Sequence, residues 1–154
     1  METFRQTRYG VYSLFIDVLK TYGRIIMKQQ VEVKDLKEGK YVIIDDEACV
    51  IKSIVKSKPG KHGAAKARVE AIGLFDGQKR SYIGSVASKI YIPIVERKTA
   101  QVISITGEIA QLMDMGDFST FEIVIPDEYK DRVKEGEEVS YITALGKIKL
   151  DIRM

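Results

Sequence analysis

The sequence predicts a mainly β protein built as two small barrels. Beyond Met27 apolar and polar residues alternate at period two, and turn signals return about every ten residues. A length of 154 residues leaves room for one ordinary domain or two small ones. Charge then divides the chain. Residues 27–93 carry thirteen basic and eight acidic side chains, net +5, whereas residues 94–154 carry eight and twelve, net −4. Such a split marks two units and gives the first an anionic partner.

The elements follow in order. Residues 1–26 are an extension of unknown role, in which Val11, Tyr12, Phe15, Val18, Leu19 and Tyr22 recur at helical spacing. The first unit spans 27–94. Asp35 to Gly39 turns the chain into a strand at Tyr41–Ile44, and Asp45-Asp46-Glu47 turns it into Ala48–Val55. Ala67, Val69 and Ala71 alternate with Arg68 and Glu70, Asp76-Gly77 marks a hairpin into Arg80–Ile83, and Ile90–Ile94 closes the unit. A polar connector is expected at 95–98, around Glu96-Arg97-Lys98. The second unit, 99–154, has strands at Gln101–Ile105, Glu108–Met113 and Thr120–Ile125. A short helix opened by Pro126 and stopped by Gly136 follows, with Tyr129 and Val133 on one face. Val139–Ala144 and Lys147–Arg153 then form a hairpin across Leu145-Gly146, with Ile148, Leu150 and Ile152 facing one way. Five short strands with one helix before the fourth fit a Greek-key barrel of the oligonucleotide-binding type. Neither half reads as a repeat of the other.

Composition excludes several classes. With 45% apolar and 31% charged residues the chain can bury a core. One cysteine, Cys49, and one histidine, His62, supply neither an internal disulfide nor a metal site, which points to the reducing cytoplasm. Cys49 sits among apolar neighbours and is expected to be buried. The amino-terminal apolar stretch is too short to span a bilayer and has no clean small-residue cleavage site, so neither membrane nor export is expected. The acidic run Glu135, Glu137 and Glu138 reads as a solvated turn.

One segment carries chemistry. Lys52 to Arg68 holds Lys52, Lys56, Lys58, Lys61, Lys66 and Arg68 and no acid. Between two strands, residues 56–64 form a hairpin tip. Pro59 stiffens its entry, and Gly60 and Gly63 permit angles or approaches that a side chain forbids. This cationic finger suits an RNA phosphate backbone, with Lys56, Lys58, Lys61, His62, Lys66 and Arg68 as the binding residues. A merely solvated lysine-rich turn is the plain alternative. A nucleotide-binding P-loop is excluded, because Val55 stands where its first glycine belongs and His62 where Ser or Thr should follow the lysine. His62 has no neighbouring carboxylate to orient it as a base, so no catalytic residue is assigned.

The segment Ser57-Lys58-Pro59-Gly60-Lys61-His62-Gly63-Ala64-Ala65-Lys66-Ala67 resembles the modification loop of archaeal and eukaryotic translation initiation factor 5A. The likeness extends over Met27–Met154. Pro59 and Ala64 stand where eukaryotic members usually carry Thr and His, so it is closer to the archaeal branch. Residues 1–26 have no counterpart, and the carboxy-terminal helix of eukaryotic members is absent. The resemblance implies an SH3-like first domain, an oligonucleotide-binding-fold second domain, and Lys61 as the modified residue. Deoxyhypusine synthase would transfer the aminobutyl group of spermidine to Lys61, leaving deoxyhypusine or hypusine. It also implies ribosome binding, with Lys61 reaching the acceptor end of the P-site tRNA to promote peptide bonds at slow sequences such as proline runs. No cofactor, metal or DNA partner is expected. The rival is an unmodified RNA-binding or ribosome-associated module.

Overall fold

The computed structural model describes residues 27–58, 60 and 63–152. The helical spacing at 11–22, Pro59, Lys61 and His62, and the last two residues lie outside them.

Six strands build the first unit. β1 (Lys28–Glu32) leads through a one-turn 3-10 helix, Val33–Asp35, to β2 (Tyr41–Ile44), β3 (Glu47–Ser57), β4 (Lys66–Gly73), β5 (Lys79–Ser85) and β6 (Lys89–Pro93). β2 to β5 pair antiparallel in chain order, and β1 pairs with β6. Asp45 and Asp46, both at positive φ, make the tight β2–β3 turn, a conformation that Asp tolerates better than most residues. The alternation at Ala67, Val69 and Ala71 buries all three on one face of β4. They join Val33, Val42, Cys49 and Ile51 in the first core. Burial pushes the Cys49 thiol pKa up, which makes it a packing residue.

The second unit is a five-stranded antiparallel sheet of β7 (Glu96–Thr106), β8 (Ile109–Asp114), β9 (Thr120–Val124), β10 (Glu138–Ala144) and β11 (Lys147–Leu150). Its order is β11-β10-β7-β8-β9. Leu112, Val102, Val139, Tyr141 and Leu150 lie in a core separate from the first. Asp114 is buried beneath it and accepts hydrogen bonds from the Tyr141 hydroxyl and from the N–H groups of Gly116 and Asp117. Led by the Tyr141 bond, these hold its carboxyl at about 2.

Three expectations need correction. The Glu96-Arg97-Lys98 stretch is no free connector. It opens β7, pairing with Thr143, Ile142 and Tyr141 of β10, and Arg97 also bonds Asp151. The helix after Pro126 is a single 3-10 turn, Asp127–Tyr129, followed by a turn in which Val133 N–H donates to Tyr129 C=O at 3.0 Å. Pro126 caps it from outside, and the tether delivers Val133 and Tyr129 to the core without a full helix. The last strand ends at Leu150, short of the expected Arg153. Its hairpin turns at Leu145-Gly146, both at positive φ, and reaches the first unit through a Lys147–Glu47 ion pair of 2.5 Å.

The halves share a device that no sequence periodicity displays. β3 and β7 are each eleven residues long and each bulged, between Ile51 and Ser53 and between Val102 and Ser104. In the first unit Gly39 N–H donates to Ile51 C=O at 2.9 Å, Ile51 N–H to Lys40 C=O at 2.8 Å, and Ile54 N–H to the Glu38 carboxylate at 3.1 Å. In the second, Gly136 N–H donates to Val102 C=O at 2.8 Å, Val102 N–H to Glu137 C=O at 2.9 Å, and Ile105 N–H to the Glu135 carboxylate at 2.8 Å. The turns are Lys37-Glu38-Gly39-Lys40 and Lys134-Glu135-Gly136-Glu137. Gly39 and Gly136 have φ of 77° and 82°, where a glycine is favoured. A bulge leaves backbone groups unpaired, and this Glu-Gly turn satisfies them.

Candidate functional site

The β3–β4 hairpin positions the basic segment. Its ladder runs from Cys49 opposite Gly73 to Ser57 opposite Lys66. The eight residues 58–65 between the strands contain the Gly60-Lys61 pair. The Glu38 carboxylate fixes β3 at Ile54, three residues before the strand ends.

Both legs of the loop are tied to one short turn. On the returning leg, Val86 N–H donates to Ala65 C=O at 3.0 Å, and Lys34 N–H donates to Val86 C=O at 2.9 Å. On the outgoing leg, the Lys56 ammonium donates to Lys34 C=O at 3.2 Å. These bonds ground the base of the loop on the barrel. Gly60 at the described part of the tip has φ +48°, and a Cβ there would meet nothing within 4 Å. Its requirement for glycine is therefore conformational rather than steric.

The cations predicted to bind RNA separate into two kinds. Lys58 and Lys66 are exposed, with no ion-pair partner among the described residues. Lys56 spends a donor on Lys34 C=O, and Arg68 pairs with Glu70 at 3.1 Å. Nearby, Lys34 and Lys89 both pair with Glu32, at 2.7 and 3.2 Å. Their hydrogen bonds and charges lower the Glu32 pKa, and Glu32 raises that of Lys34. Among the described residues of the loop, Lys58 and Lys66 are thus the cations without a partner. Sequence reasoning missed the Lys34 anchor and the Glu38 clamp, because both depend on partners about twenty residues distant.

No group of three or more His, Cys, Asp or Glu side chains among the described residues could hold a metal. No described helix is long and apolar enough to cross a membrane.

A family model described as translation initiation factor 5A-like, N-terminal, matches residues 27–88. A second, described as eukaryotic elongation factor 5A hypusine, DNA-binding OB fold, matches residues 94–151. The chain belongs to the translation initiation factor 5A family. The translation initiation factor 5A of Methanosarcina barkeri is 93% identical over 127 residues, covering 82% of this chain and 99% of that protein. That of Archaeoglobus fulgidus is 62% identical over 125 residues, covering 81% and 98%. Among solved structures, factor 5A from Methanococcus jannaschii superimposes with a TM-score of 0.75 at 40% identity, covering 82% of this chain and 96% of that one. The resemblance to the archaeal branch is upheld, as is the fold of two small β barrels, SH3-like and then OB. The second model ties this factor 5A chain to the hypusine family, and its relatives are named as translation factors.

Proposed function

We propose that this chain is a ribosome-binding translation factor acting through a deoxyhypusine or hypusine side chain at Lys61. The observation that carries the reading is the β3–β4 loop. It is long, anchored at both legs, and flanked by Lys58 and Lys66, which have no ion-pair partner among the described residues. Deoxyhypusine synthase would supply the modification with spermidine as donor. The bond between spermidine's central nitrogen and its butyl carbon breaks, and that carbon joins Nζ of Lys61. The proton released from Nζ leaves with 1,3-diaminopropane. Atoms balance and no net oxidation occurs.

The added four carbons and second amine lengthen the reach of Lys61 and spread its donors among phosphate and base groups. At the P-site tRNA acceptor end this would hold a peptidyl-tRNA in reactive geometry. The benefit is positional, greatest where the substrates react slowly, as at proline runs. The factor is then no enzyme, and the cytoplasm is its place of work. Lys56, Lys58, His62 and Lys66 serve RNA binding, Arg68 being engaged by Glu70 at 3.1 Å, while Pro59, Gly60 and Gly63 shape the loop.

Intact-mass analysis with site localisation, on protein from its native cell, tests the reading. One aminobutyl adduct on Lys61 is expected. An unmodified Lys61 would leave the plain RNA-binding module in its place.

A further inference from the structure

We infer that the outward row Val55–Arg68–Ile83, behind the loop, is the docking face for the enzyme that transfers the aminobutyl group. This rests on the proposed modification of Lys61. The three residues lie side by side across β3, β4 and β5, because Val55 pairs with Arg68 and Arg68 with Ile83. Opposite residues of an antiparallel ladder share a face. Val55 and Ile83 are 60% and 63% exposed, among the most exposed large apolar residues described. One row separates them from the end of the ladder, Ser57–Lys66–Ser85, so they stand about 7 Å from it at the usual strand rise.

The chemistry of the row favours a protein over RNA. Two branched alkyl chains offer nothing to a phosphate, and Arg68 between them is already paired with Glu70 at 3.1 Å. Exposed apolar side chains around an internally paired charge resemble the centre of a protein interface. Beyond the row the face sinks into an open groove of about 440 Å³ bordered by Lys52, Ile72, Lys79 and Ser81 and by Glu70, whose charge Arg68 balances. Among the described residues, Lys52 and Lys79 make no ion pair.

Geometry and charge then select the partner. To bond Nζ of Lys61, the enzyme must enclose the loop, so the rim of its pocket falls on the strand rows at the loop's base. Spermidine is a polycation, so a pocket that binds it must carry carboxylates. An acidic rim complements Lys58 and Lys66 beside the loop and Lys52 and Lys79 beyond the row. The row itself supplies the apolar contact between them.

The test uses the full chain and the aminobutyl-transferring enzyme of the same cell, following uptake of labelled spermidine. Val55→Thr/Ile83→Thr keeps β-branched side chains at exposed positions, and its thermal midpoint should match wild type. Its KM as protein substrate should rise about tenfold or more at unchanged kcat, with unmodified single-stranded RNA affinity unchanged. Ile109→Thr/Val124→Thr is the control. That cross-strand pair is similarly exposed, 46% and 62%, and belongs to the second unit's sheet, not to the strands that carry the loop, so its KM should stay at wild type. An unchanged KM for Val55→Thr/Ile83→Thr would overturn the docking face. Weakened RNA binding with normal modification would reassign the row to RNA, also overturning it. If the wild-type chain takes up no label, the modification reading falls first and the docking face with it.

Discussion

Each half of the molecule carries an eleven-residue bulged strand clamped by a Glu-Gly turn, yet only one runs on into a long loop. β7 leaves its clamp at Ile105 and turns back at once through Gly107-Glu108 into β8. β3 leaves its clamp at Ile54 and continues to Ser57, and eight residues follow before β4. Surface charge follows the same division. Near the second hairpin Glu108 is paired with Lys130 at 2.9 Å, and Lys130 also with Asp127 at 2.6 Å. At the first, Lys58 and Lys66 face solvent without ion-pair partners among the described residues. The comparison teaches that bulge and clamp are general supports for a bent strand. What separates the halves is the length and charge of what the strand presents.

Deleting core volume should break the comparison most severely. Leu112→Ala empties a fully buried site and should cost the second unit about 2–5 kcal/mol. Because the two cores are separate, calorimetry should show the first unit's transition little changed, and Lys61 should still be modified. Coincident loss of both transitions would show the halves to be one cooperative unit.

Gly60→Val acts on the loop alone. A β-branched residue at φ +48° costs about 1–2 kcal/mol, and the site has no steric obstruction to add to it. The loop should abandon that conformation rather than unfold the barrel, so aminobutyl uptake should slow markedly at an unchanged melting temperature. Uptake at the wild-type rate would make Gly60 an ordinary turn residue.

The clamps permit a matched pair. Glu38→Ala and Glu135→Ala each remove one carboxylate–amide bond and should each destabilise their own unit by about 1 kcal/mol. Only Glu38→Ala should also slow modification, since only that clamp fixes the base of the loop. Equal effects on modification would mean that the clamp does not aim the loop.

The smallest effect concerns acid. Asp76 and Asp114 both have carboxyls held at about 2, Asp76 first by Arg80 and then by Gln78 N–H, Asp114 first by the neutral Tyr141 hydroxyl. A carboxyl depressed on folding contributes stability above its unfolded pKa of about 4, and the contribution is lost as pH falls through about 2. High salt should therefore raise the Asp76 pKa by screening Arg80 while leaving the Tyr141-bonded Asp114 almost unmoved. Tyr141→Phe should move the acid transition of the second unit up toward pH 4, at little cost to the first. Carboxyl chemical shifts followed through a titration would read both.

Legibility in the sequence followed the range of the interactions. Tyr41–Ile44 was placed to the residue, and the β4 alternation identified three buried side chains, because period-two patterns record which face meets the core. The loop motif was legible because its residues are contiguous. Glu96–Lys98 was not, since a polar triplet reads as a connector until its β10 partners are known. The Lys37–Lys40 and Lys134–Glu137 turns share Lys-Glu-Gly in the sequence, but what that triplet does is visible only when each turn meets its bulge. Val55 and Ile83 read only as the ends of two strands, and the register that aligns them across Arg68 is a property of three strands together.

The role proposed for Lys61 runs through its amine and not through its charge. It is tested most directly by peptide-bond formation on a proline-rich message at equal ribosome occupancy. Modified wild type is compared there with Lys61→Arg and Lys58→Arg. Arginine keeps the positive charge but has no primary amine to accept the aminobutyl group. Stimulation should collapse for Lys61→Arg and persist for Lys58→Arg, with both variants as stable as wild type to within about 0.5 kcal/mol. Full stimulation by Lys61→Arg would contradict the account and leave the loop a simple phosphate-binding finger.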